Sequence, residues 1–391
     1  MEIMQQEVSK EWQEHILPFW AGLQDLEHGG YYGEVNVHLE RDPLAPKGGI
    51  AAARQLWSFA AAYRVTRDPQ WAGHARHAYL FLRDRLYDQE YGGIYWMADY
   101  SGRPQDTRKH IYAQSFAVYS LSEYCRATGD QEALSLAQNI FALVEGKGYD
   151  PQIQAYKEEF DREWNEQPNE MLSENGVVAE ITMNTTIHIL EAYTTLYRVW
   201  PDPLVHSALE NLLSMLYQRV YDPVRKRLNV FFDRSWNSLL DLTSFGHDIE
   251  ASWLIDDALQ AIGSANPDYV RMVIDIAYQI ADTAVQPDGS LINERHGDHI
   301  DDTRIWWVQA EAMVGFYNAY QRTGDERFLE RIQQMWAYTK AHIIDSRNGG
   351  EWYWSVQGSG QPDSREIAGP WKCPYHNSRF CIELIERMNQ A

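Results

Sequence analysis

One short pattern occurs six times along this chain, and it restricts the possible folds more than any other feature. Each copy has a turn rich in glycine or charged residues, followed by a few alternating, strand-like residues. The copies begin at His28, Tyr91, Ile153, Arg225, Asp288 and Asn348. Successive starts are 63, 62, 72, 63 and 60 residues apart, so six units fill the 391 residues. We therefore predict a single domain that spans residues 1–391.

Each unit also carries two helix patterns. One is amphipathic and opens at an aspartate N-cap, as at Asp130, Asp202 and Asp325. The other is apolar around most of its circumference, as in residues 54–65 and 305–320, and helices of that kind are buried. Six outer and six inner helices predict an all-α (α/α)6 barrel with short strand-bearing loops on one face. An open helical array is the alternative, but it needs polar end caps that the sequence lacks.

The predicted barrel places its chemistry at one end. Short links at residues 126–130 and 322–326 close one face, while the strand-bearing loops lead into the N-termini of the inner helices. Polar residues early in those helices should therefore point into a concave mouth, the usual place for a small-molecule site. The candidates are Arg54, Tyr112, Asn184, His188, His247, Glu250, Trp307, Glu311 and His376, with Trp371 just before the last inner helix.

The chemistry that this set suits is proton transfer. Two imidazoles on nearby helices can act as base and acid on opposite faces of a carbon, because histidine titrates near neutrality. His247 lies near a helix N-terminus, where the helix dipole disfavours imidazolium. Glu250 is placed to orient a histidine. Arg54 and His188 are placed to stabilise the oxygens of an enediolate.

Structural interpretations compete with these functional ones. The histidines can be hydrogen-bonded core residues, and Trp307 and Trp253 can be core aromatics. Arg54 can be the buried ion-pair partner of Glu250 or Glu311. The loop at residues 295–302 contains His296, Asp298, His299, Asp301 and Asp302 and can bind a metal, but irregular acidic loops are usually only solvated. We predict no metal and no cofactor.

Charge and composition exclude several classes of partner. The formal net charge of −22 repels nucleic acid and anionic membranes. No apolar run reaches the roughly 18 residues of a membrane span, and the N-terminus lacks the pattern of a secretory signal. Cys125, Cys373 and Cys381 have neither a disulfide-framework nor a zinc-site spacing. We expect a cytoplasmic protein that is a monomer or a weak homodimer and acts on a small neutral ligand.

Four segments in order resemble the cellobiose 2-epimerases of the N-acylglucosamine 2-epimerase superfamily. They are KHIYAQSFAVYSLSEY from Lys109, SENGVVAEITMNTTIHILEAYTTLYR from Ser173, GHDIEASWL from Gly246 and WKCPYHNSRFC from Trp371. The resemblance covers essentially the whole chain. It implies an (α/α)6 barrel and metal-independent epimerisation of β-1,4-linked disaccharides at C2 of the reducing-end glucose.

Matching motifs also imply roles for single residues. His247 and His376 are the implied acid/base pair, and Arg54 and His188 match residues that hold the ring and enediolate oxygens. Trp371 matches an aromatic platform for the non-reducing sugar. The positions that match substrate-contact or supporting residues are Tyr112, Asn184, Glu250, Trp253, Trp307 and Glu311.

The resemblance leaves substrate breadth open. The same enediol serves a monosaccharide 2-epimerase or an aldose–ketose isomerase. An inverting glycoside hydrolase is a rival from another enzyme class, and a non-catalytic sugar-binding protein is a second rival. The hydrolase needs two facing carboxyls, but Asp248 and Glu250 are two residues apart and do not share a helix face.

Overall fold

The computed structural model describes residues 1–172 and 176–390 as a double ring of helices. The outer ring comprises α1 (Glu2–Glu11) with its continuation α2 (Leu17–Ala21), α4 (Pro69–Phe81), α6 (Gln131–Leu143), α8 (Pro203–Met215), α10 (Pro267–Thr283) and α12 (Arg327–Tyr338). The inner ring comprises α3 (Gly49–Thr66), α5 (Ile111–Thr128), α7 (Met183–Val199), α9 (Phe245–Ala261), α11 (Trp306–Thr323) and α13 (Tyr375–Gln390). The first three residues of the SENGVVAE segment and residue 391 lie outside the described residues.

The inner ring is closed. Helix α3 packs against α5, α5 against α7, α7 against α9, α9 against α11 and α11 against α13, and α13 returns to α3. Nearly every residue of α5 is buried, whereas α12 buries only one face, which includes Phe328, Ile332 and Met335. The (α/α)6 barrel predicted from the repeats is therefore confirmed, and the open array is wrong.

Two of the three predicted aspartate N-caps are confirmed, whereas the prediction for Asp325 is wrong, because Glu326 occupies the N-cap of α12. The Asp130 carboxylate accepts a hydrogen bond from the amide of Ala133, and that of Asp202 accepts one from Leu204. Helix α12 begins at Arg327, two residues after Asp325, whose carboxylate accepts the Arg327 amide at 3.0 Å. Short links then join each outer helix to the inner helix before it, and these links close one end of the barrel.

Short antiparallel strands occupy the other end, as expected. They are β1 (Glu34–Val35), β2 (Arg41–Asp42), β3 (Lys47–Gly48), β4 (Met97–Ala98), β5 (Pro104–Asp106), β6 (Lys109–His110), β7 (Tyr149–Asp150), β8 (Ala155–Tyr156), β9 (Glu159–Phe160), β10 (Glu166–Gln167), β11 (Ile181–Thr182), β12 (Tyr221–Asp222), β13 (Arg227–Leu228), β14 (Phe231–Phe232), β15 (Leu242–Ser244), β16 (Glu294–His296), β17 (His299–Asp301), β18 (Arg304–Ile305) and β19 (Ser355–Val356). They pair as β1–β2, β3–β4–β5, β6–β9–β10, β7–β8, β11–β14, β12–β13, β15–β16–β17 and β18–β19.

Every repeated turn forms a bridge just after an outer helix. The bridged pairs are Gln24 with Tyr31, Tyr87 with Ile94, Tyr149 with Tyr156, Tyr221 with Leu228, Val285 with Leu291 and Ile344 with Trp352. Buried glutamine side chains tie two of these turns to the following inner helix. Gln114 and Gln309, each the fourth residue of its helix, hydrogen-bond both the amide and the carbonyl of Ile94 and Leu291 respectively. These ties fix where the inner helices begin, and therefore where their first-turn side chains lie.

Candidate active site

A cavity of about 360 Å³ opens where the inner helices begin, near the strand-bearing loops. This is the end of the barrel at which the sequence predicts a site. Nine of the eleven predicted site residues line it: Arg54, Tyr112, Asn184, His188, His247, Glu250, Trp307, Trp371 and His376. The other two, Trp253 and Glu311, are buried behind the wall of the cavity and do not line it. Their position supports a role in holding other side chains and not direct contact with a ligand.

The predicted residues form two layers along the barrel axis. The second residue of an inner helix supplies the outer layer, which contains Tyr112, Asn184, Trp307 and His376. The sixth residue supplies the deeper layer, which contains Arg54, His188, Glu250 and Glu311. Residues four apart on a helix lie one above the other. The closed ring therefore gathers six separate chain segments around one volume.

His376 is held by a carboxylate behind the cavity. Its Nδ1 lies 2.7 Å from Glu311 Oε1, and Glu311 also accepts hydrogen bonds from Trp253 Nε1 at 3.1 Å and from Arg379. The other partners of Glu311 are hydrogen-bond donors, so we treat Glu311 as an acceptor and assign the shared proton to Nδ1 of His376. The Nε2 lone pair of His376 is then free. Burial lowers the pKa of His376 well below its ordinary value, and Arg54 and Arg379 lower it further.

His188 is held in the same way. Its Nδ1 lies 2.8 Å from Glu191 Oε2, while the other oxygen of Glu191 accepts hydrogen bonds from Arg379 and from the Tyr375 hydroxyl. Burial opposes ionisation of Glu191, but Arg379 and His188 outweigh it and lower the pKa of Glu191 to about 2. An ionised Glu191 therefore fixes the orientation of the His188 ring.

His247 has a neutral partner. It is the third residue of α9, and its Nδ1 lies 2.7 Å from the hydroxyl oxygen of Ser244. Burial, with a smaller contribution from His188, lowers the pKa of His247 to about 4, although Glu250 acts in the opposite direction. The ring is therefore neutral at physiological pH, and burial is the largest cause.

Trp307 contacts both imidazoles. Its ring centroid lies 4.7 Å from that of His247 and 5.4 Å from that of His376. The approach depends on Gly246, since a Cβ atom there would lie 2.6 Å from the Trp307 ring. The glycine before His247 therefore lets the indole and the two rings share one wall. Trp307 is a cavity residue, whereas Trp253 is a core aromatic.

Arg54 has no carboxylate partner among the described residues. Its Nη2 donates to the Tyr112 hydroxyl at 2.8 Å, and its guanidinium lies 4.1 Å from the centroid of Phe116 and 4.7 Å from that of Tyr375. Its buried Nε has no hydrogen-bond partner in the described part of the chain. The alternative in which Arg54 pairs with Glu250 or Glu311 is wrong, because both carboxylates pair with Arg379. A buried cation that lines a cavity is suited to stabilise negative charge on a ligand.

Arg379 and Glu191 are residues that sequence reasoning missed. Arg379 is fully buried and contacts Glu191, Glu250 and Glu311. A signal was present, because Glu191 follows His188 by three residues and Arg379 follows His376 by three, the spacing that drew attention to His247 and Glu250. Both lie about one helical turn below a histidine.

The rim of the cavity is aromatic. Trp371 is half-buried, and its ring centroid lies 5.7 Å from that of Trp96. Trp354 carries the Arg365 guanidinium 3.4 Å from its ring centroid. The lining residues that the sequence did not predict are Met171, Leu172, Ser244, Asn293, Glu294, Ile305, Trp306, Trp354 and Arg365. They belong mainly to the strand-bearing loops, whose paths helix periodicity does not reveal.

One group of donors has the spacing of a metal site. Donor atoms of Glu250, Glu311 and His376 lie within 4.8 Å of one another. Arg379 already contacts both carboxylates, so a guanidinium cation stands where a metal would neutralise them. In the loop at residues 295–302, Asp301 accepts hydrogen bonds from Asn293 and Thr303, and no donor cluster of this kind lies there among the described residues.

The carboxyl pair of the hydrolase hypothesis is separated. Glu250 lines the cavity, but Asp248 Oδ1 accepts the amide of Leu228 at 2.9 Å on the outer side of α9. Burial raises the pKa of Asp248 to about 8, with the Leu228 amide opposing this effect. The two groups do not face one ligand, as their spacing of two residues predicts.

The fold and the site together define an (α/α)6-barrel protein with three histidines around one polar, aromatic-rimmed cavity. The sequence matches the N-acylglucosamine 2-epimerase (GlcNAc 2-epimerase) family over residues 30–379. The chain belongs to this family, which makes it an isomerase that acts on carbohydrates.

Similar proteins cover the chain from end to end. A cellobiose 2-epimerase from Ruminococcus albus is 46% identical over 98% of this chain and 99% of its own length. The structure of a cellobiose 2-epimerase from Bacillus thermoamylovorans B4167 is 56% identical, with a TM-score of 0.98 over 99% of this chain and 100% of that chain. The structure of the enzyme of the same name from Spirochaeta thermophila is 38% identical, with a TM-score of 0.92 over 100% and 97%. Among the described residues, no helix is long and apolar enough to cross a membrane.

Proposed function

We propose that this protein inverts C2 of the reducing-end glucose of β-1,4-linked disaccharides, converting cellobiose to glucosyl-mannose and lactose to epilactose. The observation that carries the proposal is the pair formed by His247 and His376. Both line one cavity, both have Nδ1 engaged by a neighbour, and both therefore have Nε2 left for a substrate. The three similar cellobiose 2-epimerases support the same substrate class.

The reaction requires one proton to leave C2 and another to arrive on its opposite face. In the open-chain sugar, C2 lies beside the C1 carbonyl, so removal of its proton gives a cis-enediol. One of His247 and His376 takes the proton through Nε2, and the other returns a proton to the opposite face. Because burial lowers the pKa of both rings, both start neutral. In each cycle the base must therefore release its proton to solvent, and the donor must take a proton back from solvent.

Two residues are placed to stabilise the developing oxygen charge. Arg54 is a buried guanidinium without a carboxylate partner among the described residues, and His188 is held by ionised Glu191. Donors fixed before the reaction stabilise an enediolate strongly, because little reorganisation is needed when the charge forms. Tyr112 in the outer layer holds Arg54 in the deeper layer. Asn184 and Glu250 each have a buried oxygen without a partner among the described residues, and these oxygens can accept from sugar hydroxyls.

The rim supports a disaccharide substrate. Trp371 and Trp354 line the outer part of the cavity, whose volume of about 360 Å³ falls in the common range of about 300–1,000 Å³ for small-molecule sites. A reacting ring near His247 and His376 would direct its partner ring toward this rim. An indole face offers the flat apolar surface that the face of a sugar ring requires.

Metal independence is part of the proposal. The strongest donor cluster, Glu250, Glu311 and His376, already contains the Arg379 guanidinium between its carboxylates. We expect full activity after exhaustive chelation with EDTA and dialysis. A loss of activity that Mn²⁺ or Zn²⁺ restores would contradict this expectation.

We propose that residues 1–391 form a single domain and that the protein is cytoplasmic. We further propose that it is a monomer or a weak homodimer and does not bind nucleic acid. The charge of −22 supports the last point, and three buried, unpaired cysteines support a reducing compartment. Packing of α1 against α13 supports one folding unit, because the two ends of the chain share a core. Light scattering across a concentration series tests the oligomeric state.

The deciding experiment is turnover of cellobiose, lactose, mannose and glucose in deuterated water. We expect glucosyl-mannose from cellobiose, with deuterium at C2 of the reducing-end sugar. Two glucoses would indicate a hydrolase, and an unchanged sugar would indicate a binding protein. A ketose labelled at C1 would indicate aldose–ketose isomerisation, and faster turnover of mannose than of cellobiose would indicate a monosaccharide enzyme.

A further inference from the structure

We propose that Arg379 is a positioning residue that biases the tautomer of His376, because its contacts with Glu311 behind the cavity favour the ionised form of that carboxyl. It does not line the cavity, so it acts only through other side chains. The activity arm of the test below rests on the proposed epimerase function, while its spectroscopic arm does not.

The first observation is the geometry of Arg379. Its guanidinium contacts three carboxylates that come from three different helices: Glu191 on α7, Glu250 on α9 and Glu311 on α11. Its Nη2 lies 2.6 Å from Glu311 Oε1, and its Nε donates to the same oxygen at 3.2 Å. The planar, multiply donating guanidinium suits such a cluster in a way that a single ammonium does not.

The second observation is what those carboxylates hold. Glu311 holds Nδ1 of His376 and Glu191 holds Nδ1 of His188, so one cation lies behind two of the three histidines in the cavity. A buried charge persists only with compensation, and three buried carboxylates around one cation carry excess negative charge. Arg379 supplies the positive charge that partly compensates these three carboxylates.

Glu311 is the carboxylate that depends most on this compensation. Burial raises the pKa of Glu311 to about 8, and Glu250 and Glu191 raise it as well. Arg379 opposes all three, so loss of Arg379 would raise this pKa further. The other ionisable groups that face the cluster are Arg54 from α3, Tyr112 and Tyr119 from α5, His188 from α7, His247 from α9, and Cys373 and Tyr375 at the start of α13. Among them, Arg379 is the cation in direct contact with Glu311.

The consequence for His376 follows from counting protons. With Glu311 ionised, the ring proton lies on Nδ1 and the Nε2 lone pair can accept a proton from a sugar. With Glu311 protonated, its hydroxyl donates to Nδ1, and the ring proton moves to Nε2. The second arrangement holds one more proton in the pair and removes the base, so its population increases as the pH falls.

The test compares Arg379→Gln with wild type in two measurements. The first is the pH profile of kcat/KM on cellobiose, and the second is the ¹⁵N spectrum of the histidine rings, with His376 assigned from His376→Asn. We expect the acidic limb of the profile to move up by about one pH unit or more and activity at pH 7 to fall at least tenfold. We expect the His376 proton to move from Nδ1 to Nε2 just above pH 8, where wild type holds Glu311 mainly ionised and the variant does not.

Arg387→Gln is the matched control. Arg387 lies two turns further along α13, is also buried, and donates to Glu383 and Asn318 at the closed end of the barrel. We expect this variant to lose stability while keeping the wild-type pH profile and His376 tautomer. A folded Arg379→Gln with lower stability but a wild-type pH profile and His376 tautomer would overturn the proposal, because a purely structural role produces that result.

Arg379→Lys covers the case in which Arg379→Gln does not fold. Lysine keeps the charge but cannot contact three carboxylates at once, so we expect a partial shift of the limb and a mixture of His376 tautomers. A folded Arg379→Lys with a wild-type limb and tautomer would overturn the proposal. If wild type does not turn over cellobiose, the proposed function fails, and the ¹⁵N spectra alone decide the role of Arg379.

Discussion

The two ends of the inner helices differ in how their charges are satisfied. The closed end has the larger cavity, about 600 Å³ against about 360 Å³ at the mouth, and it is lined by arginines and acids. Those arginines are paired: Arg198 with Asp257, Arg322 with Asp256 and Arg387 with Glu383. At the mouth, by contrast, Arg54 has no carboxylate partner among the described residues.

Cavity size and the presence of charged residues therefore do not identify the site, but a buried charge without an ionic partner does. Paired ions at the closed end already have their electrostatic partners, and a ligand would have to break those pairs. At the mouth, Arg54 Nε, the Asn184 amide oxygen and one oxygen of Glu250 lack hydrogen-bond partners in the described residues. A substrate can supply those partners without breaking an existing bond. The predictions below test this contrast.

The largest expected effect is at the mouth. Replacement of His247 or His376 by Asn should lower kcat on cellobiose by about 10²- to 10⁴-fold, the range for loss of an acid/base group. Circular dichroism should show a retained fold. His206→Asn is the control, since His206 lies on outer helix α8 beside Glu210 and should have near wild-type activity. A His376 variant with a tenth of wild-type activity would refute the assignment of the pair.

A smaller effect is expected at the rim. Trp371→Ala should lower kcat/KM for cellobiose about 5- to 30-fold, since stacking contributes on the order of 1–2 kcal/mol. Turnover of mannose, which does not reach the rim, should change little. Trp371→Phe is the matched control and should restore part of the loss. Equal losses on both sugars would mean that Trp371 only packs the loop.

At the closed end we expect the reverse pattern, a loss of stability with activity retained. Arg322→Met leaves the buried Asp256 carboxylate with Gln260 as its remaining hydrogen-bond donor. The free energy of unfolding in urea should fall by about 1–3 kcal/mol, because an unpaired buried charge is costly. Turnover of cellobiose should stay within about threefold of wild type. The added substitution Asp256→Asn should recover part of the stability. A folded Arg322→Met that loses much more than threefold in turnover would show that the closed end also serves the reaction.

The smallest effect on activity is expected for Asp248→Asn, which changes stability in a pH-dependent way. Burial raises the pKa of Asp248 to about 8 in the folded state, so its contribution to stability is present below about pH 4 and is lost as the pH rises toward 8. Asn stays neutral, and it can still accept the Leu228 amide. The variant should therefore gain stability relative to wild type between pH 5 and pH 8, on the order of 1–3 kcal/mol.

Urea unfolding at both pH values measures this difference, and turnover should stay within about twofold. A constant difference between the two pH values would show that Asp248 is ionised in the folded protein. Loss of turnover in this variant would revive a catalytic role for Asp248 and with it the hydrolase hypothesis.

Repetition made the fold and half of the cavity lining predictable. Because six similar units must each bury an inner helix, the first turns of those helices meet at one end, and nine of eleven predicted residues line the cavity there. Trp253 was harder to place, since a buried indole on an inner helix can face the cavity or the space behind it. The periodicity of a single helix does not show which side of it faces the cavity, because that depends on how the ring of helices closes.

The sequence by itself determined the helical pattern, the six-unit barrel and the end at which the histidines gather, because these follow from local spacing. Only the tertiary structure decided which partner holds each histidine. Arg379 meets Glu191 across 188 residues of chain and Glu250 across 129, and no local pattern encodes such pairings. They depend on how six helices close into a ring, and closure is set by packing of the whole core.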